Sequence, residues 1–261
     1  MADILGFTAI FLVSVITILV SLNFPDVSKI IIVALFVRVL IILLGHYILP
    51  LPDSTKDAAG FEELAWSYAQ NGFYHALNNY PGMNSYFYSW IIGTLYSLFG
   101  RSILMAQALG LLFGLASVFL GWLFAKKIWD DLTAKKVGWL LALFPSLVLY
   151  SVLPLREVYS SFFLLVAMIG IYKWVKTGNF KSIFLTLFGF MGATFFHGPL
   201  VLGGIIFLFI IGLTSLKKIF KTIISLRLNI QAFIIIILSI SFLQLFFLNK
   251  VYIPKIGYFE D

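Results

Sequence analysis

The chain has 261 residues, of which 61% are hydrophobic and only 11% are charged, and its formal net charge is +7. A typical soluble domain is about 45–50% apolar and about 25% charged, so this composition excludes a soluble globular enzyme. The many aromatic residues exclude disorder. The absence of cysteine excludes disulfides, thiolate metal sites and cysteine nucleophiles.

The apolar runs decide between helices and a closed barrel, the two architectures that lipid permits. Runs such as Ile4–Leu22 and Ile30–Leu49 are unbroken and match the roughly 20 residues of a spanning helix. We therefore predict an all-α membrane protein, a polytopic helical bundle of about eight transmembrane helices. The predicted spans are 4–22, 30–49, 102–125, 137–153, 158–175, 182–196, 199–215 and 230–247.

The charges in the loops orient this bundle. One set of loops carries twelve basic and three acidic residues, for a net +9, and the other carries five basic and eight acidic residues, for a net −3. Basic residues favour the cytoplasmic side. We therefore predict a multi-pass protein of the cell (plasma) membrane whose acidic loops and both termini face outward. Anionic lipid explains the basic loops, so no nucleic-acid partner is needed.

The first span, 4–22, could instead be a cleaved signal peptide. It has no basic n-region and no clear cleavage site of small residues. We therefore predict that it is a retained helix.

The external loop 51–101 is predicted to hold two interfacial helices. The first begins at Asp57, with Ser54 or Asp57 as its cap and with Glu62 and Glu63 toward water. Asp57 could equally be a favourable charge at the positive end of the helix dipole. Its predicted apolar face, at helical spacing, is Phe61, Leu64, Ala65 and Tyr68. His75 follows, and then a helix over Tyr86–Gly100 whose aromatic residues suit the headgroup belt or stack on sugars.

Three other polar positions stand out. Arg156 and Glu157 follow Pro154, where they form either a local ion pair or a phosphate site. His197 lies at a predicted hairpin, either as an interfacial residue or as a phosphate or proton contact. Arg38 lies within a span and is predicted to face the bundle interior, where it either pairs with buried groups or binds a ligand.

These outward residues are predicted to line one cavity at the lipid–water boundary. Carboxylates there can act as a general base or hold a divalent cation, and an arginine can hold a lipid phosphate. The residues concerned are Asp53, Asp57, Arg156, Glu157 and His197.

The order of several segments resembles a known family. These segments are Asp57–Phe61 with Asn71 and Gly72, Tyr96–Ser102, Gln107–Gly114, Lys126–Lys136 and Phe144–Glu157. They are similar to parts of the GT-C superfamily, the polytopic glycosyltransferases that use polyprenyl-phosphate sugars, which includes protein mannosyltransferases, aminoarabinose transferases and family 39. The second motif departs from the family, which commonly has an Asp a few residues beyond the Arg, whereas here Glu157 directly follows Arg156.

The resemblance implies one GT-C-like domain over residues 1–261, transferring a sugar from a polyprenyl-phosphate donor to a lipid, glycan or protein acceptor at the outer face. It implies Asp57 as catalytic base or metal ligand, with Asp53 as the alternative. A Mg²⁺ or Mn²⁺ ion, if one is bound, would be held by Asp57 and Glu157. The predicted substrate-binding residues are Arg156, Glu157, His197 and His75.

Two other functions stay open at this point. The short chain and the altered second motif favour a non-catalytic membrane subunit or scaffold with a GT-C-like fold. A chain this short for the family is expected to be either a core module or part of a longer protein. A transporter of lipid-linked sugars is disfavoured, because ionisable residues within spans are scarce and no inverted repeat is visible.

Overall fold

The computed structural model describes residues 2–224, 234, 236–242, 244, 252–253 and 257–258. The helices in this part of the chain are α1 (Ala2–Asn23), α2 (Pro25–Tyr47), α3 (Asp57–Ala69), α4 (Phe73–Asn78), α5 (Phe87–Phe99), α6 (Ile103–Ile128), α7 (Asp131–Leu143), α8 (Pro145–Val152), α9 (Glu157–Thr177), α10 (Phe180–Phe196) and α11 (Val201–Ile224). A 3₁₀ turn, Gly198–Leu200, precedes α11, and two short strands, β1 (Tyr252–Ile253) and β2 (Gly257–Tyr258), pair antiparallel.

The described helices confirm a helical, multi-pass membrane protein. Four of them, α1, α2, α6 and α9, are long and apolar enough to cross a bilayer, and α7 with α8 passes the same test as one span bent by 54°. Eight spans are not confirmed. Helix α10 has only 17 residues, the apolar helical stretch Gly198–Thr214 is also short, and most of the predicted span 230–247 lies outside the described residues.

The chain divides into two compact units, of which the first comprises residues 1–81 and 85–165. Its core is made by aliphatic and small side chains of α1, α2, α6, α7 and α8, which pack against one another because each helix is apolar on most of its surface. The fully buried members are Val27, Ala34, Ile42, Leu111, Ala134, Ala142 and Val152.

The charged residues at the two ends of this bundle separate as the loop charges predict. At one end, Lys126 lies 2.7 Å from Asp26 and 2.9 Å from Asp131, all three from loops predicted to be cytoplasmic. At the other end, His46 lies 3.8 Å from Asp3. Consecutive spans of the first unit therefore run in alternating directions, as a multi-pass topology requires.

The bend between α7 and α8 is stabilised by Arg38, which is 1% exposed. Pro145 has no N–H, so the carbonyl of Leu141 lacks its usual helical donor. The Arg38 guanidinium supplies donors instead, with Nη2 3.2 Å from that carbonyl and Nη1 2.8 Å from the carbonyl of Ala142. Its Nε donates to the Ser151 hydroxyl at 2.9 Å. Arg38 therefore pairs inside the bundle, the first of the two roles predicted for it.

The loop 51–101 contains the two predicted helices, α3 and α5, which pack closely. A Cβ atom added at Gly93 of α5 would lie 2.6 Å from the carbonyl oxygen of Ala65 in α3, so only glycine permits this approach. The predicted caps of α3 are wrong. Its N-cap residue is Lys56, which makes no side-chain cap, and the Ser54 hydroxyl donates instead to the carbonyl of Leu51.

The second unit comprises residues 82–84 and 166–261. Within it, the part of α9 after residue 165 packs on α10 through small residues, since a Cβ added at Gly170 would lie 2.6 Å from the Thr186 nitrogen. Close approach at small residues is typical of helices that associate in lipid. The ring of Trp174 meets that of Phe207 of α11 edge-on, with centroids 5.4 Å apart.

Candidate functional site

The first turn of α3 packs against the segment that joins α8 to α9. Ala58 is fully buried in a small apolar cluster with Leu153 and Leu155. Asp57 immediately precedes Ala58, and Arg156 immediately follows Leu155. The structure therefore brings the chain around Asp57 and the chain around Arg156 to the same end of the first unit, although the two are about 100 residues apart in sequence.

Arg156 contacts the helix that Asp57 begins. Its guanidinium carbon stands 5.5 Å from the centre of the Phe61 ring, within the range of a cation–π contact. Phe61 follows Asp57 by four residues, so the two lie on the same face of α3. Asp57 itself is exposed, and among the described side chains it has no hydrogen bond or ion pair.

The Arg156 guanidinium is only partly satisfied. Its Nε is buried and has no hydrogen-bond partner among the described atoms. The Glu157 carboxylate is 3.6 Å away, which is close enough for an ion pair but too long for a hydrogen bond. Glu157 is the first residue of α9 and half exposed, so it also interacts favourably with the positive end of that helix.

Glu62 does not point to water, and this prediction is wrong. Its side chain is 5% exposed and accepts two hydrogen bonds from Arg101, with Nε 2.9 Å from Oε1 and Nη2 2.5 Å from Oε2. These bonds raise the pKa of Arg101 above its ordinary value. The guanidinium also lies 5.4 Å from the ring of Trp66. The buried face of α3 is therefore shifted by one position from the predicted one, to Ala58, Glu62, Ala65 and Ala69.

Two tyrosines of α5 are buried rather than placed in the headgroup belt, so the belt prediction is wrong for them. Tyr88 is 1% exposed and Tyr96 is 2% exposed, whereas Tyr86 is 51% exposed. The hydroxyl of Tyr88 lies beside that of Tyr159, and the hydroxyl of Tyr96 lies beside the Glu62 carboxylate. Burial raises the pKa of Tyr96, and the nearby Glu62 carboxylate raises it further.

The aromatic rings connect Tyr88 to Arg156. The ring of Tyr88 meets that of Phe61 edge-on at 6.1 Å and that of Tyr159 at 5.3 Å. Sequence reasoning missed Glu62, Tyr88, Tyr96 and Arg101 as a group. Helical spacing does place Tyr88 and Tyr96 on one face of α5, but nothing in the sequence indicates that α3 covers that face.

The remaining predicted site residues lie elsewhere. Asp53 is exposed in the turn before α3, with a positive φ of 63° that aspartate tolerates better than most residues. His75 is exposed in α4, with Nε2 3.4 Å from the Asn71 amide nitrogen. His197 is exposed at the end of α10 and belongs to the second unit.

Metal-binding clusters are absent from the part of the chain that the structure describes. No three His, Asp or Glu side chains there come together as a metal site requires. Asp57 and Glu157, the predicted ligands, are not joined by a third such residue.

Known proteins give no independent indication of function. No family model matches the chain, and neither a curated protein nor a solved structure is significantly similar to it. The resemblance to GT-C glycosyltransferases therefore stays a prediction, which depends on the order of the segments in the sequence.

Proposed function

We propose that this protein is a membrane glycosyltransferase that transfers a sugar from a polyprenyl-phosphate donor to an acceptor hydroxyl at the outer membrane face. The observation that supports it best is the contact between Arg156 and Phe61, because it places a partly unpaired guanidinium on the face of α3 that begins with Asp57. An exposed carboxylate and an incompletely paired arginine are what a base and a phosphate site require.

The proposed reaction is a single displacement at the anomeric carbon. Asp57 removes the proton from the acceptor hydroxyl as its oxygen bonds to that carbon. The bond from the anomeric carbon to the phosphate oxygen breaks, and the polyprenyl phosphate leaves with the electron pair. Arg156 binds this departing phosphate through charge-assisted hydrogen bonds, which strengthen as negative charge develops there.

Transfer by the purified chain in proteoliposomes tests the proposal directly. With a radiolabelled polyprenyl-phosphate sugar as donor, we expect label to pass to an acceptor hydroxyl, and Asp57→Asn to lower the rate by at least about 100-fold, as loss of a general base does. The matched control is Glu63→Gln, which removes an exposed carboxylate from the same helix and should leave the rate unchanged. Full activity of Asp57→Asn would refute the assignment of the base.

Phosphate binding is tested separately from the chemistry. Arg156→Gln should weaken binding of unlabelled polyprenyl phosphate by about 10- to 100-fold, since a hydrogen bond to a charged group is worth about 1.5–3 kcal/mol. Lys56→Gln, which changes an exposed cation next to α3, is the control for nonspecific attraction. Equal binding by both variants would count against a phosphate site at Arg156.

A non-catalytic membrane subunit is the second candidate, favoured by one observation. Asp57 is exposed and pairs with no described side chain. An ordinary surface charge at a helix N-terminus has the same properties. This candidate predicts that polyprenyl phosphate neither binds to the chain nor is consumed by it, and that Asp57→Asn changes only the stability.

A further inference from the structure

We propose that Arg101 binds the phosphate group of a zwitterionic phospholipid at the membrane–water boundary. This inference goes beyond the proposed function and does not rest on it, because the lipid is a bound component of the bilayer and not the donor of a sugar. The site lies just before α6, whereas the proposed site for the donor phosphate is at Arg156, just before α9. None of the predicted site residues contributes to it.

The position of Arg101 relative to the bilayer is the first observation. Arg101 comes two residues before Ile103, where α6 begins, and α6 is long and apolar enough to cross a membrane. The hydroxyl of the intervening Ser102 donates a hydrogen bond to the carbonyl of Ala2 at 2.8 Å, and Ala2 begins α1, a second such helix. Two spans therefore begin at the level of Arg101. An arginine at the end of a span places its charge among the lipid headgroups.

The guanidinium of Arg101 keeps free hydrogen-bond donors. Its Nε and Nη2 donate to the two carboxylate oxygens of Glu62, at 2.9 Å and 2.5 Å, which uses two of the five N–H groups of the guanidinium. The Nη1 group has no hydrogen-bond partner among the described atoms, and the Arg101 side chain is 40% exposed. The edge formed by Nη1 and the second N–H of Nη2 can therefore donate to two oxygens of a phosphate.

Two contacts hold this guanidinium in one orientation. The Glu62 side chain is only 5% exposed, so its carboxylate is fixed by the surrounding helices. The ring of Trp66 lies 5.4 Å from the guanidinium carbon of Arg101, within the range of a cation–π contact. An arginine that is already ordered loses less conformational entropy on binding a ligand than a mobile surface side chain does. Arg101 is therefore preorganised for a ligand.

Exposed apolar side chains near Arg101 favour a lipid over a free phosphate. Phe99 is 56% exposed and Ile103 is 40% exposed, one on each side of Arg101 in the chain, and Ile4 of the neighbouring helix α1 is 69% exposed. In a bilayer such side chains contact acyl chains. A phosphate ligand next to an apolar surface at a helix end is the arrangement that binds lipid headgroups.

The charge around Arg101 favours a zwitterionic headgroup over an anionic one. The hydrogen bonds to Glu62 raise the pKa of Arg101, and the nearby Glu63 carboxylate raises it further. An anionic headgroup is repelled by the field of these carboxylates, whereas a headgroup that also contains an ammonium group is not. We therefore expect phosphatidylethanolamine to bind in preference to phosphatidylglycerol.

Lipid titration of the delipidated full chain, followed by native mass spectrometry, tests this inference. The probes are phosphatidylethanolamine, phosphatidylglycerol and diacylglycerol with the same acyl chains, and glycerophosphoethanolamine, which has the headgroup without the chains. We expect phosphatidylethanolamine to bind at least about tenfold more tightly than each of the other three, as hydrogen bonds to a charged group allow. If any of the three binds as tightly as phosphatidylethanolamine, the inference is wrong.

Two variants separate lipid binding from folding. In Arg101→Lys the ammonium can keep the ion pair with Glu62, but it lacks the second edge for phosphate, so phosphatidylethanolamine binding should weaken by about tenfold. Glu62→Gln combined with Arg101→Gln removes both charges together, which leaves no buried charge unpaired, and should weaken binding as much. The control is Lys56→Gln, which removes an exposed cation before α3 and should bind as the wild type does. Wild-type binding by either folded Arg101 variant would overturn the inference.

Arg156→Gln distinguishes this lipid site from the proposed donor site. We expect this variant to bind phosphatidylethanolamine as the wild type does. Weaker binding by Arg156→Gln, combined with wild-type binding by Arg101→Lys, would place the lipid at Arg156 and refute the site at Arg101. A chain that transfers no sugar leaves the inference unaffected, because no part of it uses the donor.

Discussion

The Arg38 guanidinium lies 2.8 Å from the carbonyl oxygen of Ala142, at the end of α7 where the span bends by 54°. This bond joins the second span to the bent span. Because Arg38 also binds Ser151 of α8 at 2.9 Å, it holds the chain on both sides of the bend. Helix α8 leads directly to the segment that carries Arg156, so this buried cation also orients the proposed phosphate site.

Replacing Arg38 should destabilise the bundle, and the loss of unfolding free energy should be smaller when Pro145 is replaced as well. We expect Arg38→Gln to lower the free energy of unfolding by about 2–4 kcal/mol, because buried carbonyls lose their donors. In the double variant with Pro145→Ala, the restored N–H can bond to the Leu141 carbonyl and recover part of this loss. Unfolding in mixed micelles measures the coupling. The control is Lys29→Gln, at an exposed position of the same helix. If the effects of the Arg38 and Pro145 substitutions on the unfolding free energy simply add, Arg38 does not stabilise the bend.

Two glycines should respond to alanine with opposite signs. At Gly93 the new methyl group would lie 2.6 Å from backbone of α3, whereas at Gly60, within α3, nothing lies within 4 Å. We expect Gly93→Ala to cost about 1–3 kcal/mol by overpacking and Gly60→Ala to gain up to about 1 kcal/mol from helix propensity. Unfolding temperatures of the two variants test this. The same sign for both would show that α3 and α5 do not pack as described.

The ion pair between Glu62 and Arg101 should contribute to stability. Glu62→Gln should cost about 1–3 kcal/mol, which is less than the 3–5 kcal/mol for breaking a fully buried pair, because the Arg101 side chain is 40% exposed and water can solvate it. Glu63→Gln, at the exposed neighbouring position, is the matched control. Equal denaturation midpoints for the two variants would place Glu62 at the surface, as the sequence alone predicts.

The predicted orientation in the membrane can be read from single cysteines, because the chain has none of its own. We expect a membrane-impermeant maleimide, added to intact cells, to label Lys56→Cys and Glu157→Cys. Lys135→Cys should be labelled only after the cells are opened. All three positions are exposed. Labelling of Lys135→Cys from outside would reverse the orientation that the loop charges indicate.

Much of the fold could be predicted because a lipid environment excludes most backbone structures other than helices. Unbroken apolar runs can only be helices there, so the bounds of α1, α2, α6 and α9 lie close to the predicted spans. The bend at Pro145 was not predicted, although a proline inside a helix removes one hydrogen bond and commonly kinks it. What stabilises the bend, Arg38, lies more than 100 residues away in sequence.

The candidate site was predictable only in part. The span count predicts that Asp57 and Arg156 lie on the same side of the bundle, and both do lie at one end of the first unit. The burial of Glu62 and of Tyr88 was missed, because helical periodicity cannot tell a face that meets water from one that meets a neighbouring helix. One shifted position on α3 was enough to move a carboxylate from the surface to the interior.

Cross-linking of the first turn of α3 to the segment before α9 tests the central claim most directly. In a chain without native cysteines, Ala58→Cys paired with Leu155→Cys should form a rapid cross-link with a short bis-thiol reagent, since both positions belong to one buried cluster. Ala58→Cys paired with Ala134→Cys, at the opposite end of the bundle, should not. Failure of the first pair in folded protein would separate Asp57 from Arg156 and contradict the proposed site.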